Sequence, residues 1–168
     1  IGHMGFALVG VAAGSAAGVT GCLVYLATYV VMNLGAFALI LSMKRAGRPV
    51  ESINDLAGLS RHRLPMALAL LVIFFSMAGI PPLAGFFGKF LVFTAAVEAG
   101  FWWLAVIGLV TSVLSAFYYI RIIKIAFFDE PTEDGQFDTA DVSRRAVYGL
   151  SAVFLLLFAA IVRFVVDW

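Results

Sequence analysis

The sequence predicts an all-α polytopic membrane protein with about six transmembrane helices. Three observations predict it. Hydrophobic residues make up 63% of the 168-residue chain and charged residues only 12%, against about 25% charged in a soluble domain. The mean hydropathy is +1.05, and 16 phenylalanines carry more apolar surface than a soluble core of this size can hide. The apolar residues gather into long runs, and about 20 helical residues cross ~30 Å of hydrocarbon.

The first run, residues 1–13, is short only because the chain starts inside it, and the native chain is expected to begin further upstream. The second, 19–43, is long enough to span with tilt, and Lys44, Arg45, Gly47 and Pro49 stop it. A polar loop over 44–64 follows, in which Glu51 to Leu59 reads as a short interfacial helix or turn. The third run, 65–80, opens on Pro65, favourable at a helix first turn, and closes on Pro81-Pro82. The fourth, 83–98, would be only ~24 Å long as a helix. The fifth, 101–128, is long by contrast, opening with Trp102 and Trp103 as interfacial anchors and closing with Arg121 and Lys124, which can snorkel. A short segment beside a long one suggests a discontinuous or offset helix near residues 83–128. The second loop, 129–145, is acidic and contains Pro131 and Gly135; the sixth run, 146–166, carries Arg163 near its end. Together the runs form a single transmembrane domain over 1–168.

Orientation does not resolve from charge. Lys44, Arg45, Arg48, Arg61 and Arg63 fall in one loop, while Lys124, Arg144 and Arg145 flank the other. With three spans between them, the two loops are expected on opposite faces.

Several functions are excluded. A net charge of +1 and the absence of basic runs interleaved with aromatics argue against nucleic acid. The single cysteine, Cys22, can form neither an intrachain disulfide nor a metal site by itself. No metal-ligand cluster, nucleophile elbow or phosphate loop is recognisable. Gly79-Ile80-Pro81-Pro82 instead marks a sharp helix end, whose unpaired backbone groups must face protein or water.

The informative residue is Lys89. It lies six residues after Leu83 and nine before Glu98, about 9 Å and ~14 Å along a helix, too deep for an end residue. An ammonium at a span centre costs about 2.5 to 3.5 kcal/mol on insertion scales, so such residues face a partner or a watery cavity and mark a pathway. Gly85, one turn earlier, and Gly88 leave little bulk around it. Desolvation disfavours the ammonium and a nearby carboxylate favours it, an opposition that suits a group gaining and losing a proton. The competing reading is a lysine that snorkels or sits in a permanent ion pair. All ten acids fall in loops or at segment ends, so a partner carboxylate is expected upstream or in another chain. An imidazole in water changes charge near neutral pH, which makes His3 a candidate relay member, although an isolated histidine is more often a packed hydrogen-bonding residue. Two polar stripes recur at helical spacing: Tyr25, Tyr29 and Asn33, and Gly108, Ser112, Ser115 and Tyr119. Small and hydroxyl-bearing residues join membrane helices, so packing is the favoured reading of both stripes.

With these residues in view, the chain resembles the C-terminal part of the subunit N family of respiratory complex I, the proton-pumping NADH:quinone oxidoreductase, whose members are antiporter-like. The strongest element is the run from Ser76 through Met77-Ala78-Gly79-Ile80-Pro81-Pro82-Leu83-Ala84-Gly85-Phe86-Phe87-Gly88-Lys89-Phe90, which is similar to the family's S-x-A-G-I-P-P-x-x-G-F-x-G-K-F. Ile1-Gly2-His3-Met4-Gly5-Phe6 resembles a second family helix, and Tyr118-Tyr119-Ile120-Arg121 with Phe128-Asp129-Glu130-Pro131 resembles the end of its penultimate helix.

The resemblance implies the second half of a fourteen-helix fold of inverted repeats, with Lys89 on the broken twelfth helix of the second half-channel. It assigns Lys89 a proton-relay role, and His3 a place on the same polar axis. It also implies proton pumping coupled to electron transfer from NADH to quinone, with no cofactor in this chain. NADH, FMN, iron–sulfur clusters and quinone would belong to other subunits. The implied partners are other membrane-arm subunits, including antiporter-like neighbours, and the lipid bilayer. A bacterial inner membrane fits better than a mitochondrial one. The alternatives are a subunit of a multi-subunit sodium/proton antiporter, disfavoured by the Tyr-Tyr-x-x-Arg and Phe-Asp-Glu-Pro stretches, and a non-conducting scaffold.

Overall fold

The computed structural model describes residues 2–45, 47–131 and 137–165, with side chains described as far as residue 160 except that of residue 159. Ile1, Gly135, the Arg163 side chain and the end of the sixth run therefore lie outside the described residues.

Helix α1 covers Gly2–Ala12. Ser15, in extended backbone, opens α2 over Ala16–Ser42 by accepting a hydrogen bond from the Gly18 amide. This cap satisfies one of the helix's orphan donors and starts α2 three residues before the expected Val19. The chain then forms a two-stranded hairpin, β1 at Lys44–Arg45 and β2 at Arg48–Pro49. A capping box between Ser52 and Asp55 orders a 3-10 turn at Ile53–Leu56. The short helix α3, Leu59–His62, leads into α4, Leu64–Ala78, with Pro65 in its first turn.

Helix α4 ends at Gly79, whose φ of 86° lies in the left-handed region that a Cβ disfavours. Helix α5 follows over Ala84–Glu98, α6 over Trp102–Phe128 and α7 over Val142–Val165. Helix α7 starts four residues before the expected Ala146. Its polar first turn packs against the end of α2, where Arg144 donates to the Leu41 carbonyl at 2.7 Å.

The packing register shows how α4 and α5 are related. Along α6, the Phe93 ring lies against Gly108, Lys89 meets Ser112, and Phe74 packs edge-on to Tyr119. Along α2, Gly21 faces Leu91, Gly88 faces Tyr25, and Gly35 faces Ile73. Both series advance in opposite order through α5 and then α4. Helices α4 and α5 therefore run end to end in the same direction, as one discontinuous helix antiparallel to α2 and α6. Each half, at 15 residues, is ~22 Å long, whereas α2 and α6, at 27 residues, are ~40 Å. The discontinuity expected within 83–128 thus lies at 79–83, between the third and fourth apolar runs. Of the described helices, α2 and α6 are long and apolar enough to cross a membrane individually.

The loops supply a second correction. Ser60 donates to the Phe127 carbonyl at 3.3 Å, and Arg63 donates to the Phe137 carbonyl at 3.1 Å and to Thr139 at 2.8 Å. The Gly47 amide donates to Asp138, and the Asp138 amide to the Lys44 carbonyl, both at 2.8 Å. The Arg45 guanidinium stacks 4.2 Å from the centre of the buried Phe137 ring. The two loops therefore clasp each other at one end of the bundle instead of lying on opposite faces. The physical reason is the end-to-end stacking of α4 and α5: only two passages through the bundle separate the loops, so the chain returns to the end it left.

The main core lies between α2, α4 and α7, around Leu39, Leu70, Ile73 and Leu155. A smaller cluster of Phe6, Cys22, Tyr25, Val92 and Ala96 packs α1 against α2 and α5. Cys22 is a buried free thiol there, used as a small apolar filler.

Candidate functional site: a buried lysine at a helix break

The break between α4 and α5 builds a cradle for Lys89. Because α4 stops at Ala78, its last carbonyls lose their intrahelical partners and present the negative end of the helix dipole. Lys89 stands one and a half turns into α5 and is 5% exposed. Its Nζ donates to the Met77 carbonyl at 3.1 Å, the Ala78 carbonyl at 3.2 Å and the Ser112 hydroxyl at 2.8 Å. An ammonium has three donors, and all three are used. The Phe6 ring covers another side, with its centre 4.8 Å from Nζ, within the range of a cation–π contact.

Close backbone approach makes the cradle possible. The Gly85 amide donates to the Ser76 hydroxyl at 3.0 Å, and a Cβ at Gly85 would collide with the Ser76 carbonyl. At Gly88 a Cβ would lie 2.8 Å from the Tyr25 ring. The short, glycine-bearing segment read from the sequence is thus the part of the chain that lets two helix ends meet around an ammonium.

His3 stands in a second polar group beside the first. Its Nδ1 is 2.6 Å from the Tyr25 hydroxyl and its Nε2 is 3.1 Å from the Tyr119 hydroxyl. The Tyr29 ring centre is 5.1 Å from the imidazole. A neutral imidazole has one donor and one acceptor nitrogen, and a phenol can serve either, so the Tyr25–His3–Tyr119 chain can reverse its hydrogen bonds when the tautomer changes.

Lys89 and His3 are therefore neighbours on facing helices, each in contact with Phe6, and no hydrogen bond joins them. Among the described residues no carboxylate pairs with Lys89. Glu98 does share with it a groove of about 380 Å³, also lined by Gly79, Thr94 and Ser112. Among the described residues no group of three or more His, Cys, Asp or Glu side chains could hold a metal ion.

Spacing alone favours packing for both polar stripes, yet each contains residues of this site: Tyr25 and Tyr29 from one, Ser112 and Tyr119 from the other. Asn33 and Ser115 instead donate to the carbonyls of Tyr29 and Thr111 in their own helices, each at 2.9 Å. The two stripes converge on His3 and Lys89, which come from other helices, and periodicity within one helix cannot reveal that. The Met77 and Ala78 carbonyls have no side-chain signature, and only the Gly79 stop hints at them.

The NADH:quinone oxidoreductase/Mrp antiporter transmembrane family matches residues 1–115. The chain is 56% identical over 160 residues to the NADH-quinone oxidoreductase subunit N of Rhodospirillum rubrum, covering 95% of this chain and 33% of that protein. A chain of respiratory complex I from Thermus thermophilus superposes with a TM-score of 0.77 at 34% identity, covering 92% of this chain and 34% of that one. A chain of the Mrp complex from Dietzia sp. DQ12-45-1b superposes with a TM-score of 0.78 at 21% identity, covering 94% and 38%, and is alike in fold alone. The chain spans about a third of the length of the curated relatives it matches. The family match over most of the chain agrees with the S-x-A-G-I-P-P run and the lysine cradle it builds, and the chain belongs to the NADH:quinone oxidoreductase/Mrp antiporter transmembrane family.

Proposed function

We propose that this chain forms part of a proton-translocating membrane-arm subunit of an NADH:quinone oxidoreductase, in which Lys89 and His3 relay protons. The observation that carries the reading is the Lys89 ammonium, buried in an apolar helix and held by two freed carbonyls and one hydroxyl instead of an acid. A permanent ion pair needs a counter-charge, and no described carboxylate reaches Nζ. A lysine solvated by neutral acceptors can lose its proton without leaving a buried anion behind. Sequence identity to subunit N relatives supports the same reading.

In this reading α4 and α5 together make one crossing of the membrane, because each is shorter than ~30 Å of hydrocarbon and the two stack end to end. Charge then supports an orientation. Lys44, Arg45, Arg48, Arg61, Arg63, Arg121, Lys124, Arg144 and Arg145, nine of the 11 basic residues, lie at the loop-bearing end of the bundle. The turn after α5 at the other end carries Glu98, followed by Trp102 and Trp103, which are 65% and 49% exposed. The positive-inside rule puts the clasped loops in the cytoplasm and Glu98 on the far side of a bacterial inner membrane. The groove from Lys89 to Glu98 would then lead protons to that far side.

The flavin, iron–sulfur clusters and quinone site belong to other subunits in this account, and this chain contributes proton transfer. Neighbouring membrane-arm subunits would cover its exposed apolar faces, with lipid around the rest. The test is the ion moved by the intact assembly in vesicles. NADH-driven acidification that persists without sodium supports the proposal; strict dependence on sodium favours the antiporter alternative.

A further inference from the structure

We propose that Phe6 is the gate between Lys89 and His3, a positioning residue whose ring keeps the two proton-carrying groups in separate hydrogen-bond networks. The inference deepens the relay reading and rests on it. All three donors of Lys89 Nζ are spent on Met77, Ala78 and Ser112. Both ring nitrogens of His3 are spent on Tyr25 and Tyr119. Among the described residues no hydrogen bond links the two networks, and Phe6 touches both. Its ring centre is 4.8 Å from Nζ and 6.1 Å from the imidazole, which it meets at an interplanar angle of 87°.

Phe6 is held firmly in this place. It is 4% exposed and meets Tyr25 and Phe93 edge-on, at 6.1 Å and 5.7 Å between ring centres. A phenyl ring offers no hydrogen-bond donor or strong acceptor, so it interrupts a chain of proton carriers and denies water the polar partners it needs. The ring is also sensitive to the state of the lysine. Its face attracts the ammonium through the quadrupole and has no such hold on a neutral amine. Once a shift of the ring has let the Lys89 proton leave, the neutral amine no longer draws the ring back over it.

The transfer itself is a plain proton movement. The Lys89 ammonium releases one proton to a water admitted when the ring shifts, and the Tyr25 or Tyr119 hydroxyl takes up that proton as it gives its own to the His3 imidazole. The positive charge passes from amine to imidazole with no change in electron count. A proton pump needs such a break, because a continuous wire would let the gradient run backwards.

The test uses the intact, reconstituted assembly with the series Phe6→Leu, Phe6→Val and Phe6→Ala, beside Lys89→Ala. Two quantities are read: protons moved per NADH oxidised, and the decay rate of the pH gradient once turnover is stopped. Phe6 as a gate predicts that NADH oxidation continues while protons per NADH fall and gradient decay quickens as the side chain shrinks. Phe6→Leu, nearly volume-conserving, should show the smallest effect and carries the test with Phe6→Val if Phe6→Ala does not assemble. A merely structural role would lower assembled complex and turnover together and leave both quantities unchanged per assembled complex, which overturns the proposal. If Lys89→Ala lowers protons per NADH and no Phe6 variant does, the gate alone fails. If Lys89→Ala also pumps normally, the relay reading fails with it.

Discussion

The ammonium of Lys89 and the hydroxyl of Ser112 meet at 2.8 Å across two helices that run in opposite directions. This is the one side-chain hydrogen bond among Nζ's three, and it fixes the tip of a flexible four-carbon stem at mid-depth of the bundle. The other two acceptors are backbone carbonyls, which no substitution can remove.

Ser112→Ala should therefore leave the fold intact and disturb the lysine. A hydrogen bond to a charged group contributes about 1.5 to 3 kcal/mol. Losing it removes one of the three contacts that hold the ammonium at the helix break. The expected outcome is normal assembly with proton pumping slowed severalfold, measured as the initial rate of vesicle acidification.

Gly85→Ala should instead destroy the junction. Its Cβ would meet the Ser76 carbonyl, a backbone atom that cannot swing aside, where α5 crosses the end of α4. Gly149→Ala, with nothing within 4 Å of the added Cβ, provides the contrast. Assembled complex recovered from membranes should fall steeply for Gly85→Ala and stay at the parental level for Gly149→Ala.

Tyr25→Phe and Tyr119→Phe each remove one hydroxyl from His3 and keep the ring. If the three residues act as one proton-passing unit, either substitution should slow pumping, and the double variant should be little worse than the more impaired single one. Full additivity of the logarithms of the rates would argue that the hydroxyls act independently.

The clasp between loops makes a topological prediction. Cysteines introduced by Gly47→Cys and Asp138→Cys should react with an impermeant thiol reagent from the same side of the membrane, the cytoplasmic one. Gly100→Cys should react from the other side. Labelling of Gly47→Cys and Asp138→Cys from opposite sides would restore the arrangement in which three spans separate the loops.

Composition sufficed for the helical membrane class, and the cost of one buried charge sufficed to single out Lys89. The Gly79-Ile80-Pro81-Pro82 run was legible as a helix stop. Whether the chain turns back or carries straight on after such a stop depends on what lies alongside, and here α2 and α6 align the two halves. Apolar runs alone divide α4 and α5 into separate crossings, which sets the break within 83–128 and the two loops on opposite faces, whereas the stacked helices put the break at 79–83 and the loops at one end. The hydrogen-bond partners of Lys89 and His3 were visible as residues but not as partners, because they come from helices far apart in sequence. His3 and Tyr119 are 116 positions apart.

The central claim, that Lys89 carries translocated protons, is tested most directly by the number of protons moved per NADH oxidised when the intact assembly contains Lys89→Ala. The account predicts a complex that assembles and translocates fewer protons per NADH, with turnover slowed. A complex that assembles and pumps at the parental ratio would contradict it.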